Sequence, residues 1–139
     1  MIIDGNNAVF GRMATQVAKK ALLGETIDIV NCEKVTISGK KEVVFAKYDR
    51  LKKMGVPRKG PFFSSDPEKF LKRIIRGMLP YKQPKGRDAF DRIKCHVGVP
   101  AKFEGQEIVK LGDKVLRTNA VPVSAICKHI GGRQWKKQS

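Results

Sequence analysis

The chain has 139 residues, 41% of them hydrophobic, and a net charge of +16, which is the size of one ordinary domain with enough apolar side chains for a core and so excludes a disordered basic tail. No apolar run approaches the roughly 20 residues of a membrane-spanning helix, and the opening MIIDGNNAVF lacks a basic segment followed by an apolar one, so neither a span nor a signal peptide is expected. Three widely spaced cysteines, Cys32, Cys95 and Cys127, with no CxxC, point to reduced thiols in a cytosolic protein and not to a disulfide frame.

The chain opens on a short apolar segment, Met1 to Ile3, followed by the turn-like Asp4-Gly5-Asn6-Asn7. Met13, Ala14, Val17, Ala18, Ala21 and Leu22 then fall on one face of a helix, with Arg12, Gln16, Lys19 and Lys20 on the other and Gly24 placed as its C-cap. Thr26 to Val30 reads as a strand and Val35 to Ile37 as a shorter extended piece. This strand–helix–strand order favours a parallel sheet.

Ser38-Gly39 breaks the pattern. Lys40 to about Met54 reads as a helix with Val44, Tyr48 and Leu51 inside and Lys47, Arg50, Lys52 and Lys53 outside. Gly55 to Ser65, with two Pro and two Gly, is expected to be irregular. Asp66-Pro67-Glu68 is a helix start, with Asp66 as N-cap and Pro67 at the first helical position. Phe70, Leu71, Ile74, Ile75 and Met78 form the apolar face of that helix, Lys69, Lys72, Arg73 and Arg76 the opposite one, and Pro80 ends it. Residues 81–87 read as a second basic loop, Ala89 to Ile93 as one or two helical turns, Lys94 to Val99 and Glu107 to Val109 as strands, and Ser124 to Ile130 as a final helix stopped by Gly131-Gly132. No linker divides the chain, so one domain over residues 1–139 is expected, with a basic region at 47–87 and a basic tail at 133–139.

The charge is concentrated. Residues 47–87 carry thirteen Lys/Arg against three acids, whereas residues 1–46 carry six against five. Cations this dense repel one another, so a polyanion is the natural partner, and RNA ranks above a lipid surface because Pro and Gly interrupt the basic residues instead of leaving one long amphipathic helix. The third helix has no acid at i+4 to pair with its cations, and two Gly/Pro loops beside it add Arg58, Lys59, Lys82, Lys85 and Arg87. Phe62 and Phe63, next to Lys59, are candidates for stacking on unpaired bases, with one of the two expected to pack back on the following helix. Trp135, between Arg133 and Lys136, poses the same choice between stacking and packing.

Other chemistries fit less well. Gly5 and Gly11-Arg12 do not have the spacing of a nucleotide-binding P-loop, although the helix start there is able to hold an RNA phosphate. Cys95-His96 and Cys127/His129 match no common zinc spacing, so no metal is expected. Two histidines and scattered acids give no nucleophile–base pair, and no catalytic residue, cofactor or small-molecule substrate is expected. An RNA-modifying or nucleotide-using enzyme and a regulatory RNA-binding module stay open as alternatives.

The opening IIDGNNAVFGRMATQVAKKALLGETIDIVNCEKVTISGKK resembles the start of the universal large-subunit ribosomal protein thirteen (L13/uL13) family. The stretch Arg76-Gly77-Met78-Leu79-Pro80, five residues, then Gly86-Arg87 and on to Ile93 and Gly98, is similar to that family's signature. The wording YKQPKGRDAFDRIK is closer to the archaeal and eukaryotic branch than to the bacterial one. The resemblance implies an α/β fold of three layers, α/β/α, around a small, mostly parallel sheet of about four strands with basic loop extensions. It further implies a non-enzymatic constituent of the large ribosomal subunit in the cytoplasm, monomeric, that binds large-subunit rRNA beside neighbouring ribosomal proteins and takes part in subunit assembly. The residues expected at the rRNA are Arg12, Arg50, Lys52, Lys53, Arg58, Lys59, Lys69, Lys72, Arg73, Arg76, Lys82, Lys85, Arg87, Arg133 and Lys136. The turn from Gly77 to Pro80 and the Gly86-Arg87 loop are expected to face RNA as well.

Overall fold

The computed structural model describes residues 1–112 and 119–131. Four short strands form a parallel sheet: β1 (Ile2–Asp4), β2 (Ile27–Val30), β4 (Ile93–Cys95) and β5 (Ile108–Lys110), in the order β4-β2-β1-β5. Ile3 pairs with Ile29 on one side and Val109 on the other, and Ile29 pairs in turn with Cys95. That register brings Ile3, Ile27, Ile29, Ile93 and Cys95 into the main core. Each fully buried Ile there is worth about 1.5–3 kcal/mol of apolar burial, which is what holds strands this short.

Among the described residues five helices supply most of the rest of that core: α1 (Phe10–Leu22), α2 (Lys41–Lys53), α3 (Pro67–Arg76), α4 (Pro84–Asp91) and α5 (Val123–His129). α1 buries Met13, Ala14, Val17, Ala18 and Ala21, the face its periodicity marks, and Gly24 follows its end with φ +103. A second, smaller core gathers Ile2 and Val30 with Phe103 of a 3-10 turn at Ala101–Phe103, a thin cover that completes the three-layer α/β/α arrangement. No helix among the described residues is long and apolar enough to cross a membrane.

Several elements differ from the sequence reading. The extended piece after β2 is β3 (Thr36–Ser38), and it leaves the parallel sheet to pair antiparallel with β6 (Ala120–Pro122). Residues 81–87 are not a loop: α4 begins at Pro84, so Lys85, Gly86 and Arg87 are helical. The expected strand from Lys94 to Val99 shortens to Ile93–Cys95, beyond which His96 still donates its N–H to the Ile29 carbonyl at 2.8 Å. Asp66 occupies the N-cap of α3 with extended backbone, but its carboxylate does not cap; it meets Ser64 Oγ and the Lys69 ammonium instead. Met78 lies past the end of α3 and is 42% exposed, while Leu79, at 4%, takes the buried place expected for it.

The segment joining α3 to α4 is a close-packed corner. The N–H groups of Gly77, Met78 and Leu79 donate to the carbonyls of Ile74, Ile75 and Arg76, tightening the end of the helix to i→i+3 bonds. The chain then reverses at Pro80, whose carbonyl accepts from the Gln83 N–H at 2.9 Å and lies against Gly86. A Cβ on Gly86 would stand 2.1 Å from that oxygen, so only glycine lets α4 approach the corner this closely.

Candidate nucleic-acid interface

The cations of residues 47–87 lie on three stretches. α2 holds Lys47 and, in its C-terminal turns, Arg50, Lys52 and Lys53; the turn after it holds Arg58 and Lys59; α3, its corner and α4 hold the others. A bridge between Val56 and Gly60 closes the turn, and Lys59 and Gly60 donate their N–H groups to the Val56 carbonyl at 3.1 and 3.0 Å. Gly55 and Gly60 have φ of +92 and +72, and a Cβ on Gly55 would strike the Gly60 carbonyl. The Gly/Pro content read as irregular chain therefore builds a defined basic turn.

Among the described residues only one cation of this region, Lys69, pairs with a carboxylate, its Nζ 3.3 Å from Asp66. No acid stands at i+4 of Lys69, but one sits at i−3, on the N-cap, where an i+4 search does not look. Arg50, Lys53, Arg58, Lys59, Lys82, Lys85 and Arg87 are exposed, and so is Arg12 at the first turn of α1, where Gly11 opens onto free space. Gly5 is a packing residue, since a Cβ there would meet Val35 Cγ2 at 2.7 Å.

Besides Lys69, four of the cations expected at the rRNA have intramolecular work. Lys52 donates to the Ile130 carbonyl at the end of α5, a cation on the negative end of a helix. Lys72 Nζ lies 4.5 Å from the centroid of Phe90, and the Arg76 guanidinium lies 5.1 Å from that of Tyr81. Arg73 donates through Nη1 to the Phe62 carbonyl, and its guanidinium lies 4.9 Å over the Phe63 ring. Such contacts on aromatic faces hold the long side chains in place at the surface without neutralising them.

The two phenylalanines divide as the sequence suggests. Phe63 packs inward, 5.5 Å edge-on to Phe70 and 5.8 Å from Tyr48. Phe62 is 68% exposed. Arg133, Trp135 and Lys136 fall outside the described residues.

Sequence reasoning passed over Lys94. It projects from β4 between the buried Ile93 and Cys95, and with Lys69, Lys72 and His96 it lines a cleft of about 330 Å³. The strand's alternation was the signal that would have placed it on the open face.

The thiols and histidines are engaged internally. Cys32, Cys95 and Cys127 are buried and free. A side-chain hydrogen bond with Cys95, then burial, pushes the Cys32 thiol well above its ordinary range. Burial, and secondarily the negative charge of Asp66, pushes Cys127 up to about 12. His96 Nε2 lies 2.9 Å from Asp28, and His129 Nε2 lies 2.7 Å from Asp49 with its ring stacked 4.2 Å from Phe45. Among the described residues no three His, Cys, Asp or Glu side chains gather so as to hold a metal.

Residues 1–102 match the sequence family described as ribosomal protein L13. The chain is also similar along nearly its whole length to archaeal proteins named large ribosomal subunit protein uL13. It is 43% identical over 136 residues to that of Methanocaldococcus jannaschii, covering 95% of this chain and 98% of the relative. It is 42% identical over 138 residues to that of Methanococcus maripaludis, covering 96% and 98%. The corresponding figures for Methanococcoides burtonii are 39% over 136 residues, 95% and 98%.

Proposed function

The chain belongs to the ribosomal protein L13 family, and from that premise we propose that residues 47–87, with Arg12, are the surface that fastens it to large-subunit rRNA. It is a structural constituent of the large ribosomal subunit. Its work is mechanical: it binds separate RNA segments, favours the arrangement that brings them together, and so assists assembly of the subunit. It performs no chemistry, acts as one domain and one copy per particle among neighbouring ribosomal proteins, and resides in the cytoplasm.

The observation that carries this reading is the set of exposed cations, without carboxylate partners among the described residues, spread over one helix end, one closed turn and one helix corner. Charge left unpaired at this density costs self-repulsion unless a polyanion neutralises it. Arg50, Lys53, Arg58, Lys59, Lys82, Lys85 and Arg87 are assigned to phosphates. Lys52, Lys69, Lys72 and Arg76, held from behind by Ile130, Asp66, Phe90 and Tyr81, add positive potential from fixed positions. Arg133, Lys136 and Trp135 are assigned to the same RNA. Folded rRNA is read chiefly through backbone, shape and 2′-hydroxyls, which suits such a surface better than base-edge recognition does.

Sedimentation of a cell extract through a sucrose gradient tests it. The protein should travel with large subunits at close to one copy each and resist moderate salt; finding it in the soluble fraction, with large subunits complete without it, would overturn the proposal.

A further inference from the structure

We infer that Phe62 is a preformed stacking platform for one unpaired nucleobase of the rRNA, and that Arg73 is the residue that positions it and not a phosphate ligand. The inference rests on the reading of the chain as an rRNA-binding protein.

The exposed ring is backed and pinned. A Cβ on Gly60 would fall 3.1 and 3.2 Å from Phe62 Cδ2 and Cε2, so the ring lies against the bare side of that glycine, in space any other residue would fill. Gly60 holds φ +72, a conformation suited to glycine. The carbonyl of Phe62 accepts from Arg73 Nη1, which ties the loop to the rigid α3. The next residue, Phe63, is wedged between Tyr48, Phe70 and the same guanidinium. An aromatic ring this exposed is costly in water and ordinarily folds inward, as its neighbour does. Here the chain spends a glycine and an arginine on keeping it out.

The flanking chemistry names the occupant. Arg58 and Lys59 stand in the closed turn that precedes the ring, exposed and, among the described residues, without a carboxylate partner. An apolar ring two residues beyond a turn that carries two exposed cations matches a nucleotide, base on the ring and phosphate on the cations, better than it matches a protein surface. Arg73 spends its planar fork on the Phe62 carbonyl and its face on Phe63, so lysine, with the same charge, would not replace it.

The test uses the full chain and transcribed large-subunit rRNA. Replacing Trp135, the single tryptophan, by Phe and introducing Phe62→Trp places one fluorophore on the platform. RNA should quench it strongly, and Phe62→Ala should lower affinity about 5- to 100-fold, the range of one lost base stack. Arg73→Lys should lower affinity to a similar extent, leave the dependence on salt unchanged, and add nothing to Phe62→Ala. Binding at wild-type strength by Phe62→Ala with an unquenched indole would overturn the platform and hand the ring to a protein neighbour. Wild-type binding by Arg73→Lys, or a shallower salt dependence in Arg73→Ala, would overturn the positioning role. In either case the wild-type chain still binds rRNA; a wild-type chain that ignores it would refute the functional reading as well.

Discussion

The carbonyl oxygen of Pro80 stands 2.1 Å from the point a Cβ on Gly86 would occupy. That approach folds the α3 end, the corner and the start of α4 into one unit, which carries Lys82, Lys85 and Arg87, all exposed. Gly86 is helical, so helix propensity alone predicts that Gly86→Ala stabilises by about 1 kcal/mol. The contact predicts the reverse: Gly86→Ala should destabilise by about 1–3 kcal/mol as the corner is forced apart. A thermal melt decides the sign.

Met78 and Leu79 are adjacent, and their predicted costs differ widely. Leu79→Ala removes a buried anchor and should cost about 2–5 kcal/mol. Met78→Ala changes an exposed side chain and should stay within about 0.5 kcal/mol. Denaturant unfolding of the two variants checks the assignment; equal losses would contradict it.

The buried thiols give the stability an alkaline limit. Cys127 is raised from an ordinary 9.0 to about 12, Cys32 is raised as well, and burial raises Tyr48. For a group whose folded value is raised, the native state favours the protonated form. Its contribution is complete below the unfolded value and is lost as pH climbs through the folded one. The melting temperature should therefore fall between pH 9 and about 12, and Cys127→Ala should flatten part of that decline, as melts of the two proteins across the range will show. The thiols should also resist a thiol-labelling reagent at neutral pH until the chain unfolds.

Much of this architecture is legible in the sequence because burial imposes a period. α1 and α3 follow the 3.6-residue stripe, and β2 alternates Ile27, Asp28, Ile29. The failures have local causes. Pro84 and Gly86 look like loop residues, yet Pro84 sits where a helix needs no N–H and Gly86 sits where no side chain fits, so α4 was hidden by the residues that enable it. The helical stripe, extended past Arg76, puts Met78 inside, but there the i→i+3 bonds change the phase. β3 found its partner in β6, far along the chain, a pairing that no local pattern announces. At the candidate interface the charge was visible from composition. The exposure of Phe62 and the pinning by Arg73 depend on how loop and helix meet in space.

The central claim, that the free exposed cations of residues 47–87 meet rRNA phosphates, is tested most directly by the salt dependence of binding to transcribed large-subunit rRNA. We predict a steep loss of affinity with salt, corresponding to roughly six to ten neutralised phosphates. Replacing Lys82, Lys85 and Arg87 together by Glu should weaken binding sharply and flatten that dependence, with the melting temperature close to wild type because all three side chains are exposed. Undiminished affinity and an unchanged slope in the folded triple variant would contradict the account.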